Sequence, residues 1–274
     1  MSREVRPDRS HKHARLRNLA YRAGTGVLKL LAVVRSTSTG WPSFSKLMAG
    51  LFIAAGLGLV FTLTVVTAPT ALALTAENGP IENMTAAAFA LSALFCAIGA
   101  YRVAAPQRYY CLAWAILCFV FLGEEISWGQ HWFHYPTPEF LSSNSQGEAN
   151  FHNLPCVTPR VVDGPCDLIT SQGAFYAGFG LYFLAFPAAT LGSRRARRWA
   201  QRLAFPTIPI AMLTAIWIPI GVSFLLAILT EFGPRRESLT ETREFLCAAS
   251  ILAYTLLLAR SGHQADSLAM KTAE

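Results

Sequence analysis

The chain has 274 residues, of which 53% are hydrophobic and only 14% are charged, whereas a soluble domain carries about a quarter charged residues. A water-soluble fold of this length has no means of burying that much apolar surface, so the soluble globular class is excluded. The formal net charge of +7 does not mark a nucleic-acid partner either, because the basic residues cluster between long apolar runs, which is a topology pattern.

Residues 1–46 are basic and polar and read as a cytoplasmic N-terminal segment. From Ala14 to Arg35 basic and apolar residues alternate, which fits an interfacial helix on anionic lipid or a disordered basic arm. The apolar stretch from Val27 to Val34 is too short for the core of a cleaved signal, so the first span is expected to serve as the signal and stay in the membrane. Six stretches free of Asp, Glu, Lys and Arg follow, at residues 47–76, 83–101, 109–123, 168–193, 203–230 and 245–259. A membrane-crossing helix needs about 20 mostly apolar residues. The expectation is an all-α polytopic bundle of six transmembrane helices over residues 47–260, with a cytoplasmic tail at 261–274.

Orientation follows from the basic residues. With both termini in the cytoplasm, 19 of the 23 Lys and Arg lie on that side, while 12 of the 16 Asp and Glu lie on the other. A bacterial inner membrane fits this pattern. The longest outer loop covers residues 130–171 and is rich in aromatics and histidines, which argues against disorder. Cys156 and Cys166 lie within it, beside Pro155 and Gly164-Pro165, and are expected to form a disulfide in an oxidising compartment. Cys96, Cys111, Cys118 and Cys247 lie in apolar runs and read as packing residues.

The third and sixth stretches are short. Fifteen helical residues rise about 22 Å, against a hydrocarbon core of about 30 Å. The third helix is therefore expected to continue past Gly123, carrying Glu124 and Glu125 into the membrane and Trp128 and Trp132 to interfacial depth. The sixth is expected to start near Thr240 and to include Glu241 and Glu244. Carboxylates at membrane depth are expensive and mark functional sites by default, so Glu124, Glu125 and Glu244 are candidate catalytic groups. On a continuous helix Glu124 shares a face with His131, and His131 with His134; Glu148 and His152 pair in the same way if their segment is helical. Imidazoles with carboxylates suit a divalent metal such as zinc, making His131, His134, Glu148 and His152 candidate ligands and giving a route to water activation. Three residues read as structural caps instead. Ser238 and Glu241 have capping-box spacing, and Glu82 follows Pro80 at a helix start.

The segments Gly123-Glu-Glu-Ile-Ser-Trp-Gly-Gln and Gln146-Gly-Glu-x-Asn-x-His-Asn resemble an uncharacterised family of multi-pass bacterial inner-membrane proteins. The resemblance implies a multi-pass membrane fold and no particular activity. The Glu124–Glu125 pair is only loosely similar to that of membrane CAAX-type proteases, since Gly129 stands where those have Arg. Ser127 and His131 have the spacing of alkaline ceramidase-like hydrolases, whose later His-x-x-x-His is missing here. Three functions remain open: a metal-assisted hydrolase or transferase acting on a lipid or lipid-linked substrate, a proton-coupled transporter, and a non-catalytic membrane partner or assembly protein. Pro206, Pro209 and Pro219 in the fifth stretch would serve the transporter by breaking a helix.

Overall fold

The computed structural model describes residues 42–142, 144, 147–151, 171–229 and 234–271, with side chains described from residue 49 onward except at 171, 234–236 and 260–271. Among the described residues every regular element is helical. The first is α1 (Pro42–Val65), followed after a two-residue break by α2 (Ala68–Thr75). The break falls where Pro69 offers no N–H to the carbonyl of Val65 and would clash with it in a continuous helix. The first expected stretch is thus a broken helix. Helix α3 (Pro80–Arg102) starts on a proline, whose missing N–H costs nothing at that position. Glu82 stands in its first turn and accepts the backbone N–H of Asn78.

Helix α4 (Gln107–Glu125) runs back and stops at Glu125. A 3-10 turn over Ser127–Gly129 leads to the short α5 (Gln130–Phe133), and the segment Ser127–Phe133 is bent by 68° from α4. The helix thus continues past Gly123 through Glu124 and Glu125 as expected, and only its straight continuation to Trp128 and Trp132 is corrected. Ser127, Trp128 and Gly129 have φ of 45°, 51° and 84°, values outside the right-handed helix. Glycine at 123 is required here, because a Cβ on it would lie 2.8 Å from the Trp128 ring folded back over it.

Helix α6 (Ser171–Gly180) passes through a wide π turn at Leu181–Ala185 into α7 (Phe186–Gly192). Pro187 explains the widening, since it cannot bond the carbonyl of Phe183 four residues back. The indole Nε1 of Trp217 takes that place, donating to Phe183 O at 2.9 Å. Helix α8 (Arg194–Arg202) is capped by Ser193, whose Oγ accepts the N–H of Ala196. Helix α9 (Ile210–Leu229) begins seven residues later than the expected start of the fifth stretch, because Pro206 and Pro209 hold residues 205–209 outside the helix. Pro219 lies inside α9, buried. The last helix, α10 (Pro234–Lys271), starts well before Thr240.

Four helical segments are long and apolar enough to cross a membrane: Ala68–Arg102, Gln172–Gly192, Ile210–Leu229 and Glu237–Ala259. The bent pair Gln107–Glu125 and Ser127–Phe133 makes five if it counts as one, and Ala49–Val65 is a shorter apolar helix. Helix α10 is the hub, packing along α3, α9, α2 and α4, and α3 also packs along α4. Phe183, Ile216, Ile220, Leu246 and Ile251 fill the core between them. The four cysteines of the apolar runs, Cys96, Cys111, Cys118 and Cys247, are buried there as free thiols. Large apolar side chains such as Phe61, Ile116, Leu181 and Ile228 point outward instead. An outer apolar surface over a packed core is the pattern of a lipid-facing bundle.

Candidate functional site

The site is built at the end of the bundle where α4 stops, and the 68° bend places its parts. Non-glycine residues at positive φ cost about 1–2 kcal/mol each and persist only where surroundings hold them. Here the hydroxyl of Tyr135 donates to the carbonyl of Ser127 at 3.0 Å, and the indole Nε1 of Trp128 donates to Glu124 Oε1 at 2.8 Å. The second oxygen of Glu124 accepts the N–H of Phe151 at 2.7 Å. Glu124 thus ties the end of α4 to the segment 147–151.

That segment delivers Glu148, a residue only 6% exposed. Its Oε2 accepts from the Ser127 hydroxyl at 2.5 Å and from the Asn150 amide at 2.6 Å, and its Oε1 lies 2.7 Å from His131 Nε2. Three short contacts to a buried carboxylate satisfy the demand that burial of a charge creates. Asn150 also reaches Ser127 Oγ at 2.9 Å, while Asn144 holds Asn150 through its carbonyl and side-chain oxygen, each at 2.8 Å. Gln130 accepts the N–H of Ala149 at 2.6 Å. Glu148 is therefore fixed from both the bend and its own loop.

His131 itself is 42% exposed and lines an open pocket of about 560 Å³ together with Glu77, His134, Tyr135 and Glu148. A half-exposed imidazole held by a buried carboxylate has one nitrogen fixed and the other left for chemistry. Glu77 comes from the turn between α2 and α3 and faces the same carboxylate. Ser127 donates to Glu148 and not to His131, so it lacks the nucleophile–base bond of a serine hydrolase.

A second cavity of about 270 Å³ lies beneath Phe151. Phe89, Phe121, Phe151 and Phe175 wall it, and Glu124, Glu125, Glu244 and Gln172 supply its polar groups. Gln172 donates to Glu244 at 2.5 Å, joining α6 to α10. The strongest electrostatic neighbours of Glu125 are Glu244, Glu82, Glu241 and Glu124. Among the described residues no arginine pairs with it: the buried guanidinium of Arg243 lies 4.4 Å over the Phe224 ring and donates to Thr240 at 2.6 Å.

The candidate residues divide accordingly. Glu124, Glu125 and Glu244 meet at the second cavity, and His131 and Glu148 meet at the first. His134 lines the first cavity at the left-handed end of α5 without touching Glu148. The pairing of Glu124 with His131 along one helix face is lost at the bend, and Glu148 lies in an irregular segment, so the helical pairing expected for it is corrected. His152, Cys156 and Cys166 lie outside the described residues. Among the described residues no three of His, Cys, Asp and Glu gather at metal-holding distance. The capping box is also corrected. Ser238 stands a full turn inside α10, where its hydroxyl accepts from Thr75 at 3.0 Å, so neither it nor Glu241 caps the helix start. Glu77, Ser127, Asn150 and Gln130 join the site without having been singled out as site residues. Glu77 had a visible signal, an acid in a short outer turn; the others are polar residues whose roles depend on the bend. Comparison with protein-family models, curated proteins and solved structures finds no match for this chain.

Proposed function

We propose that this chain is a membrane-embedded hydrolase or transferase acting on a lipid or lipid-linked substrate, with His131 as its acid–base group. The observation that carries the reading is the 2.7 Å contact between His131 Nε2 and the buried Glu148 carboxylate, at the wall of an open pocket. Glu148 accepts from Nε2, so the free Nδ1 takes the proton of an attacking water or substrate hydroxyl. The imidazolium so formed is stabilised by Glu148 and returns the proton to the leaving group.

The same proposal includes six crossings, with α1 and the bent α4–α5 pair counted as spans. Both termini and the α8 arginines then lie in the cytoplasm and the His131 pocket at the outer face, in a bacterial inner membrane. The excess of Lys and Arg on one side supports this. The competing reading is a purely structural network that orders the loop for a partner; the complete hydrogen bonding of Glu148 favours it.

The deciding experiment reconstitutes the purified protein in vesicles of bacterial lipid extract and follows the lipid species by mass spectrometry. Loss or transfer of a headgroup is expected with the wild type and not with His131→Gln. Identical lipid profiles for wild type, variant and empty vesicles overturn the enzyme reading. Preincubation with a chelator separates metal-assisted from metal-free chemistry, since only the former stops and returns on adding zinc.

A further inference from the structure

We infer that the cavity between α4, α6 and α10 is a binding site for an organic ammonium bearing an apolar chain. This site is distinct from the His131 pocket. Its charged lining groups are all carboxylates: Glu124, Glu125 and Glu244. Its walls are aromatic, with Phe121 in ring contact with Phe89 at 5.2 Å and with Phe175 at 5.3 Å. Glu124 and Glu244 are engaged, the first by Trp128 and Phe151 and the second by Gln172. Glu125 lines the cavity with no hydrogen bond among the described residues. A carboxyl group at membrane depth that faces an aromatic cavity with no donor among the described residues leaves room for a ligand to supply that partner.

An apolar chain alone leaves that carboxylate unserved. A phosphate or carboxylate ligand would meet three acidic side chains, and among the described residues no cation lines the space, because Arg243 is turned onto Phe224 and Thr240. An ammonium satisfies all three features. Its charge sits against Glu125 and Glu244, its methyl or methylene groups lie on the ring faces of Phe121 and Phe175, and the chain follows the apolar wall toward Val120. The Phe151 side chain, half exposed, closes the cavity from the loop above.

The test titrates octyltrimethylammonium, octyl sulfate and octanol separately into the full chain in dodecyl maltoside, each below its own aggregation concentration, and reads heat of binding. Saturable binding of one ammonium per chain is expected, with none for the anion or the alcohol. Glu125→Gln is expected to weaken the ammonium by about tenfold or more, the scale for losing one partner of a buried charge pair. Octanol binding as tightly as the ammonium, or a Glu125→Gln effect within about threefold, would reduce the cavity to a slot for any apolar chain and overturn the inference. Absence of ammonium binding overturns it outright. If the glutamine variant elutes as aggregate, the three-ligand comparison on wild type still decides. His131→Gln is expected to keep ammonium binding while losing lipid turnover, so failure of either proposal is read separately.

Discussion

Replacing Glu148 tests whether the polar centre at the bend is held by charge or only by shape. The carboxylate makes contacts of 2.5, 2.6 and 2.7 Å to Ser127, Asn150 and His131. A glutamine can keep its oxygen toward Ser127 and Asn150 and turn its amide to His131, which changes tautomer to accept. Only the charge assistance is then lost, roughly 1 kcal/mol per contact and about 3 kcal/mol in all. Alanine removes all three contacts and leaves the buried Ser127 and Asn150 without their acceptor, so its cost rises to about 4 kcal/mol or more. Equilibrium unfolding in mixed micelles with rising dodecyl sulfate, followed by tryptophan fluorescence, measures both. A glutamine variant within about 0.5 kcal/mol of wild type, or an alanine variant no worse than glutamine, would refute the charge-held centre.

Three further outcomes follow from single contacts. Gly123→Ala places a Cβ 2.8 Å from the Trp128 ring and is expected to cost about 1–3 kcal/mol in the same unfolding assay; an unchanged midpoint would mean that the bend does not depend on that packing. Trp217→Phe leaves the Phe183 carbonyl without its donor beside Pro187 and is expected to cost about 1–3 kcal/mol, whereas a neutral result would show the π turn to be satisfied another way. Single cysteines at Asn78 and at Arg198 are expected to react with a membrane-impermeant maleimide from opposite sides in oriented vesicles; labelling from the same side would remove the proposed six-span topology.

The apolar runs carry the helices long and apolar enough to cross a membrane in plain view, because hydropathy over about 20 residues is a local property. Pro206 and Pro209 marked a stretch outside the helix, whereas Pro219 lies inside a continuous α9; the π turn was hidden, because the indole of Trp217 serving Phe183 is a contact between distant segments. The bend after Glu125 was hidden for the same reason. Nothing local in Ile126-Ser-Trp demands positive φ, and the conformation is held by Tyr135, Glu124 and the space over Gly123. Helical spacing therefore paired Glu124 with His131, when the real partner of His131 is Glu148, seventeen residues on and reached through a loop. Capping-box spacing misled in the opposite way, matching a local rule at Ser238 although α10 already starts at Pro234. Residue types drew attention to acids and histidines that the structure brings near one another at one end of the bundle; which acid serves which histidine is set by the tertiary fold.

The central claim is that His131 and Glu148 act as one acid–base unit, and a double-mutant cycle on lipid turnover tests it most directly. Rates in reconstituted vesicles are compared for wild type, His131→Gln, Glu148→Gln and the double variant. Two residues acting as a unit predict strong non-additivity, with the double variant no slower than His131→Gln alone. Losses that multiply, or a His131→Gln rate equal to wild type, would contradict the account.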